Sequence, residues 1–188
     1  MVLFKTELLA QDLSDNSDIL KLLENCRLQT ELTRYYDPAY VKLDYPMGDV
    51  DISRGVCTDV VIRAFRAINI DLQKLIHEDM KKNFQEYPRK WNLKKPDTNI
   101  DHRRVPNIVT FLKRKNMVKK NSDVEADYLP GDLVTWKLPG NLDHIGVVSN
   151  VFVAGTRRYA IYHNIGNGTT LEDILFEFTI TGHFSWWN

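Results

Sequence analysis

The sequence has few cysteines, no long apolar run and no excess of charge of either sign. Its two cysteines allow one disulfide at most, which excludes a small domain stabilised by a disulfide framework. No apolar run reaches the roughly 18 residues that a membrane span requires. The 25 basic and 25 acidic side chains cancel, so no overall field attracts the chain to nucleic acid or to an anionic lipid surface.

The N-terminal segment also lacks the features of a signal peptide. Its first residues, "MVLFKTELLAQDLSDNSD", carry acidic side chains too early and too short an apolar stretch. Two interpretations stay open: the protein is cytoplasmic as written, or a targeting segment has been removed. The length of 188 residues, without an internal repeat or a low-complexity linker, predicts a single domain.

The periodicity of the apolar residues changes along the chain. Helical spacing predicts helices over 17–33, from about Val56 onward, over 71–87 and over 105–115, where Pro106 falls in the first turn. Short β-branched or aromatic segments follow, separated by turn residues: "PGDLVTWKL", "HIGVVSNVFV", "RRYAIYHN" and "ILFEFTITGHFSW". This order predicts an α+β fold in which N-terminal helices pack on a C-terminal antiparallel β-sheet.

One cysteine occupies a position that suits a nucleophile. In "SRGVCTDVVIRAFRAINI", residues 53–70, Gly55 allows a tight entry into a helix and Cys57 falls in its first turn. The helix dipole and the free amides there favour a thiolate, and the amides of Cys57 and Thr58 could hold an oxyanion. The alternative is a buried structural cysteine. That alternative is preferred for Cys26, which lies on the apolar stripe of the first helix.

Two histidines are candidates for the base that such a thiol needs. His144 opens one predicted strand and His163 closes the next, so a hairpin would bring both to one end of the sheet. His144 is the predicted general base and His163 the residue that orients it. Asn164 is the alternative orienting residue, because successive side chains on a strand point to opposite faces. Each histidine could instead be a half-exposed surface residue.

Several of these segments resemble known families. The stretches "YLPGDLVTWKL", "DHIGVVSNV" and "YAIYHNIG" resemble the sheet half of the NlpC-type cell-wall peptidases, a papain-like superfamily of cysteine hydrolases. The stretches "RGVCTDVVIRAFRA", "DLQKLIHEDM", "NIDHRRVPN" and "PGDLVTW" resemble more closely a bacterial family called domain of unknown function 1287. This resemblance runs from about Tyr45 to Phe184. It implies a papain-like fold with a catalytic core at 45–184 and an N-terminal helical extension at 1–40.

The resemblance also implies a function. The expected site is Cys57, His144 and His163, and the expected reaction is cleavage of an amide bond in peptidoglycan stem peptide. A periplasmic or secreted location follows from that substrate, and a protein partner that inhibits or delivers the chain is left open. The peptidases commonly have Asp-Cys-Ser where this chain has "VCT", which bears on the substrate more than on the nucleophile. Two alternatives remain: transamidation, deamidation or acyl transfer by the same pair, and a non-catalytic cell-envelope binding module.

Four further side chains have weaker assignments. Asp59 is either a partner of the helix dipole or a group that supports the site. Arg103 and Arg104 are either part of a solvated, salt-bridged loop or a guanidinium clamp for a substrate carboxylate. Tyr45 either lines the cleft, as a tyrosine upstream of the cysteine often does in related peptidases, or serves packing.

The remaining histidines give no sign of a metal or cofactor site. His77 has no second histidine four residues further along its helix, as a zinc-binding helix would. No other ligand spacing indicates a metal. His77 and His183 are therefore interpreted as structural or surface residues, and no cofactor is expected.

Overall fold

The architecture is that of a computed structural model, which describes residues 17–187. The first 16 residues of the predicted helical extension lie outside the described residues. Four α-helices are present in the described part of the chain: α1 Ser17–Leu32, α2 Cys57–Arg66, α3 Leu72–Asn83 and α4 Val105–Arg114. None of these helices combines the length and apolar character that a membrane span requires.

The strands form one short parallel pair and one larger sheet. The pair is β1 Tyr35–Tyr36 and β2 Arg54–Gly55. The larger sheet contains β3 Val118–Lys119, β4 Leu133–Leu138, β5 Leu142–Phe152, β6 Tyr159–His163, β7 Thr170–Glu172 and β8 Thr179–Phe184. Its strands lie in the order β3-β8-β4-β5-β6-β7, and all neighbours are antiparallel. The predicted α+β class with an antiparallel sheet is confirmed.

The sheet has a buried cluster on each face. The helices cover one face, where Leu133, Val147 and Tyr162 pack against the apolar residues of α1, α2 and α4. Trp136, Val148 and Ile161 lie in the cluster on the other face, together with Ile174 and Leu175. Because successive side chains of a strand point to opposite faces, β4, β5 and β6 contribute residues to both buried clusters.

Helix α2 is the central helix of this arrangement. Every residue from Cys57 to Phe65 is buried, because α1 packs on one side and β5 on another. Val56 precedes the helix in an extended conformation, and its amide donates to the Asp59 carboxylate at 2.7 Å. A carboxylate in the first turn satisfies an amide that the helix leaves without a partner and also interacts favourably with the dipole.

Some predicted boundaries differ from the structure. The segment 34–52, which lies between the first two predicted helices, contributes β1 to the small parallel pair. The third predicted helix ends at Asn83 and continues as a 3₁₀ turn over Phe84–Glu86. The last predicted strand is shorter than its apolar pattern, because Ile174 and Leu175 fill the far core before β8 begins.

Candidate active site

The cysteine half of the site is held by a buried ion pair. Cys57 is the first residue of α2 and is only 6% exposed. Polar contacts hold the residues next to it. Arg103 donates to both oxygens of Asp59 from Nε and Nη2, at 2.9–3.3 Å. The Thr58 hydroxyl donates to the Arg103 carbonyl at 3.1 Å. These contacts fasten the first turn of α2 to the 3₁₀ turn Asp101–Arg103.

Gly55 and Asn164 connect the start of α2 to the sheet. A Cβ atom on Gly55 would lie 3.0 Å from Oδ2 of Asp59, so a larger residue would crowd the carboxylate that caps the helix. The Asn164 side-chain amide donates to the Gly55 carbonyl at 3.1 Å, and its oxygen accepts from the Gly166 amide. Asn164 therefore ties the end of β6 to the residues that precede Cys57.

The histidine half is a chain of hydrogen bonds on the sheet. His144 Nε2 lies 3.1 Å from His163 Nδ1, and His163 Nε2 lies 3.1 Å from Oε2 of Glu172. Gly146 makes room for this arrangement: a Cβ there would lie 2.6 Å from Cγ2 of Ile161 and 3.3 Å from Cβ of His163. Between the two predicted orienting residues, the structure places His163 against His144 and directs Asn164 to Gly55.

The two halves meet at the backbone of β5. The Ile145 amide, one residue after His144, donates a hydrogen bond to the Cys57 sulfur. The His144 ring lies in the far-face cluster, 5.9 Å from the Trp136 ring, whereas Cys57 belongs to the helix-side cluster. Within residues 17–187, no hydrogen bond joins the Cys57 thiol to either histidine. Such bonds are often long before substrate binds and shorten in the reactive complex.

Burial controls the protonation of both groups. It raises the pKa of the Cys57 thiol to about 12, with a further rise from Asp59, against hydrogen bonds from the amides of Ile145, Thr58 and Cys57 that lower it. Burial and the neighbouring His163 lower the pKa of His144 to about 3. At neutral pH the resting site therefore holds a thiol and an uncharged imidazole. The sequence predicted a thiolate favoured by the helix start; that prediction is wrong for this resting geometry, because desolvation outweighs the amides.

A cleft of about 210 Å³ opens beside Cys57. Tyr36, Trp91 and Arg104 form much of its wall, and Asp143 lies at the border next to His144. The Arg104 guanidinium stacks on the Trp91 ring at 4.0 Å and lies 3.4 Å from Asp101. The thiol thus faces a cleft with an aromatic surface, which Arg103, Arg104 and Asp143 also line.

The structure separates the predicted substrate-binding residues. Both Arg103 and Arg104 line the cleft, but the Arg103 guanidinium is engaged by Asp59 and by the carbonyls of Asp37 and Ala39, so it holds the fold together. Tyr45 lies outside the cleft lining: its hydroxyl donates to Glu78 at 2.9 Å and its ring contacts His77. Tyr36 is the tyrosine beside Cys57. The predicted roles of Arg103 and Tyr45 are therefore corrected.

Three of the other predicted assignments concern buried groups. Cys26 is a free thiol, fully buried against the helices, as expected. His183 is buried, with Nε2 2.8 Å from Oδ2 of Asp132, and stacks on Tyr128. Asp59 combines both roles that the sequence left open, since it caps the helix and receives Arg103.

Three residues near the site were missed from the sequence: Glu172, Tyr36 and Trp91. Strand β7, which carries Glu172, has three residues, too few for a visible alternation. Tyr36 and Trp91 lie in irregular segments where periodicity carries no information. The signal that could have identified Tyr36 is its place among isolated tyrosines just upstream of Cys57.

The fold and the site together define a class: an α+β domain with a cysteine at the start of a buried helix and a pair of linked histidines on the adjoining sheet. Comparison with known proteins assigns a family. The chain belongs to the family described as Domain of unknown function (DUF1287), whose model matches residues 23–186. It is 53% identical over 165 residues to "Uncharacterized protein YijF" of Escherichia coli (strain K12), covering 88% of this chain and 80% of that protein. No solved structure matches the chain.

Proposed function

We propose that this protein is a papain-like thiol hydrolase, related to the NlpC-type peptidases, that cleaves an amide bond in peptidoglycan stem peptide. One observation carries the proposal: the first residue of α2, Cys57, lies against the start of β5, where His144 is hydrogen-bonded to His163. A nucleophile, a base and a residue that orients the base are the parts that acyl transfer through a thiol requires. Family membership agrees with these parts but names no activity.

The first half of the proposed reaction forms a thioester. As substrate binds, Cys57 and His144 close on each other and His144 Nδ1 takes the thiol proton. The sulfur attacks the carbonyl carbon, and the amides of Cys57 and Thr58, at the N-terminus of α2, hold the oxyanion. The tetrahedral intermediate collapses when His144 returns the proton to the amine nitrogen, which breaks the C–N bond and releases the amine.

The second half restores the enzyme. His144 accepts a proton from water, whose oxygen attacks the thioester carbonyl, and the C–S bond breaks. The acid product leaves and Cys57 regains its proton. Burial lowers the pKa of His144 to about 3, so the ring is unprotonated at neutral pH, and it is a weak base until Cys57 and the substrate close on it. An amine in place of water would give transamidation by the same steps.

The side chains that line the cleft indicate which charged groups a substrate would carry. Both arginines line the cleft, but a buried ion pair holds the Arg103 guanidinium, so Arg104 is the candidate for a substrate carboxylate, and Trp91 supports its planar guanidinium. Asp143 also lines the cleft; its carboxylate is paired with Lys137 and Lys90, and a substrate ammonium would take the place of a lysine there. A peptide that carries both charges near the cleaved bond fits this cleft, and such peptides occur in peptidoglycan. A periplasmic or secreted location is part of this proposal.

A cell-envelope binding module is the second candidate function. Two observations favour it: the thiol has its pKa raised by burial, and it makes no hydrogen bond to His144 among the described residues. In that case Tyr36, Trp91 and Arg104 would bind peptide, and Cys57 would serve only packing.

Purified peptidoglycan digested with the native protein, Cys57→Ala and Cys26→Ala distinguishes these candidates. Hydrolysis predicts new amine and carboxyl termini, detected by mass spectrometry of the soluble fragments, with the native chain and Cys26→Ala but not with Cys57→Ala. Binding by all three proteins without any product would contradict the hydrolase and favour the binding module. Products only when an amine is added would identify a transferase.

A further inference from the structure

We propose that Glu172 is a positioning residue that sets the proton arrangement of both histidines and so directs the base nitrogen of His144. The proposal rests on the proposed function, because it names a residue that supports the same site. Glu172 touches neither the thiol nor the cleft; it acts through His163.

The hydrogen bonds determine the tautomer of each histidine in turn, starting from Glu172. A carboxylate only accepts, so His163 must carry its proton on Nε2 to donate to Glu172. In a neutral imidazole the other nitrogen is then an acceptor, so His163 Nδ1 receives a hydrogen bond from His144. His144 therefore carries its proton on Nε2, and its Nδ1 is left with a free lone pair. That nitrogen is the one needed to take the proton of Cys57.

The surroundings of His163 support the neutral form that this argument requires. His163 is fully buried, and burial lowers its pKa, whereas the charges of Glu172 and Glu177 oppose that shift. Thr170 is the other polar neighbour, with its hydroxyl 3.5 Å from Nε2 of His163. A hydroxyl can donate or accept, so Thr170 by itself would not select a tautomer. The carboxylate does select one.

The same hydrogen bonds can remain in place when His144 takes a proton during the reaction. When His144 becomes an imidazolium, its Nε2–H still donates to His163 and the charge of Glu172 stabilises it through the intervening ring. The last residue in this chain of hydrogen bonds, Glu172, is about half-exposed on β7. Its effect is expected to be smaller than that of His163, which is buried.

Nitrogen NMR of the histidine rings tests the proposal without any substrate. In ¹⁵N-labelled native protein at pH 7, His144 and His163 should each show protonated Nε2 and unprotonated Nδ1, with signals assigned by single His→Asn variants. Glu172→Ala should shift the ring signals of His163 and His144 toward a mixture of tautomers. Glu172→Gln should give a pattern between those of the native protein and Glu172→Ala, because its amide can accept from His163 through the oxygen but can also donate to it through the nitrogen.

Glu177→Ala is the matched control, since Glu177 influences His163 through charge without a hydrogen bond. It should leave both tautomers unchanged. A native His144 protonated on Nδ1, or a Glu172→Ala protein with unaltered ring signals, would overturn the proposal. A loss of the pattern in Glu177→Ala as large as in Glu172→Ala would also overturn it, because charge alone would then explain the effect.

Activity provides the second measurement. We expect Glu172→Ala to lower kcat/KM about 3- to 30-fold. This loss is smaller than the roughly 10- to 100-fold loss that is usual for residues that orient a metal ligand. The reason is that Glu172 is partly exposed. Glu172→Gln should recover part of that loss. If the native protein shows no turnover while the tautomers follow the expected order, the proposed function fails and the positioning role stands. If turnover is present and Glu172→Ala equals native in both measurements, the positioning role fails alone.

Discussion

The cysteine half and the histidine half of the site use buried polar groups in opposite ways. Around Cys57 the polar groups are joined in ion pairs: Arg103 with the buried Asp59, and the buried Arg63 with the exposed Asp49 at 2.9 Å. On the sheet the buried groups are rings whose protonation burial opposes, linked to each other at 3.1 Å. The first half is built from ion pairs and the second from hydrogen-bonded imidazole rings.

The difference indicates what each half can contribute. An ion pair with both members buried holds backbone segments in place, and losing one member leaves an uncompensated charge. Arg63 shows this role clearly, because it also donates to the carbonyls of Val50, Asp51 and Arg54 in the segment that leads to Cys57. Linked imidazoles hold little charge at rest and can transfer a proton. Position comes from the helix half, and proton transfer from the sheet half.

The largest expected effect is on activity, from removing either reacting group. Cys57→Ala and His144→Ala should each lower kcat/KM by at least about 10³-fold, and the double variant should lose little more, because nucleophile and base act as a unit. Turnover of peptidoglycan fragments measures this. Substantial turnover by His144→Ala, with none by His163→Ala, would mean that the roles of the two histidines are reversed.

The two adjacent arginines should separate stability from binding. Arg103→Ala should lower the free energy of unfolding by about 3–5 kcal/mol, because it leaves Asp59 buried and unpaired. Arg104→Ala should cost about 1 kcal/mol, as expected for a weak, partly exposed pair and a ring contact. Urea unfolding of both variants measures the contrast, and Arg104→Ala should in addition raise KM. Equal costs for the two would contradict the division between fold and cleft.

His163 should show a graded effect. Its substitution by asparagine supplies a comparable acceptor for His144, whereas alanine supplies none, so the activity order should be native > His163→Asn > His163→Ala. The alanine variant should lose about 10- to 1000-fold and remain above Cys57→Ala. Asn164→Ala is the control, since Asn164 contacts Gly55 instead of His144. A crippled Asn164→Ala beside a near-native His163→Ala would reverse the assignment.

Thiol alkylation should give the smallest effect, a difference in rate without loss of structure. Iodoacetamide should modify Cys57 before Cys26, because Cys57 lines the cleft whereas Cys26 is 0% exposed and burial raises its pKa further. The rate at Cys57 should rise about tenfold per pH unit between pH 7 and 9, since its pKa of about 12 lies above that range and the thiolate fraction grows with pH.

Mass spectrometry of the alkylated peptides measures both thiols in one sample. A rate at Cys57 that levels off near neutral pH would show a thiolate already formed, and so a closed contact with His144. Labelling of Cys26 first would contradict the assignment of Cys57 as the accessible thiol.

The sequence was most informative where local chemistry decides structure. Gly55, Cys57 and Asp59 lie within one helical turn, so the helix start and its capping carboxylate could be predicted from spacing alone. His144 and His163 lie on neighbouring antiparallel strands, so their approach followed from the order of the strands. These predictions needed only the periodicity of helices and strands.

Contacts between distant segments could not be predicted in this way. Arg103 is 44 residues from Asp59, and nothing in "IDHRRVP" distinguishes it from Arg104, yet packing buries one guanidinium and leaves the other in the cleft. Tyr36 lies on β1, which pairs with β2, and Glu172 lies on β7, which pairs with β6; both strands are too short for a visible alternation. The lowered pKa of His144 and the raised pKa of Cys57 have the same origin, because desolvation depends on all the atoms that surround a group.

By itself the sequence determined the α+β class, the helix start at Cys57 and the two strand-borne histidines, because periodicity and capping act over a few neighbouring residues. Only the tertiary structure decided which arginine forms the buried ion pair, that His163 receives His144 while Asn164 binds Gly55, and that Glu172 ends the chain of hydrogen bonds. Those choices depend on which side chains are buried together, and burial is a property of the assembled cores.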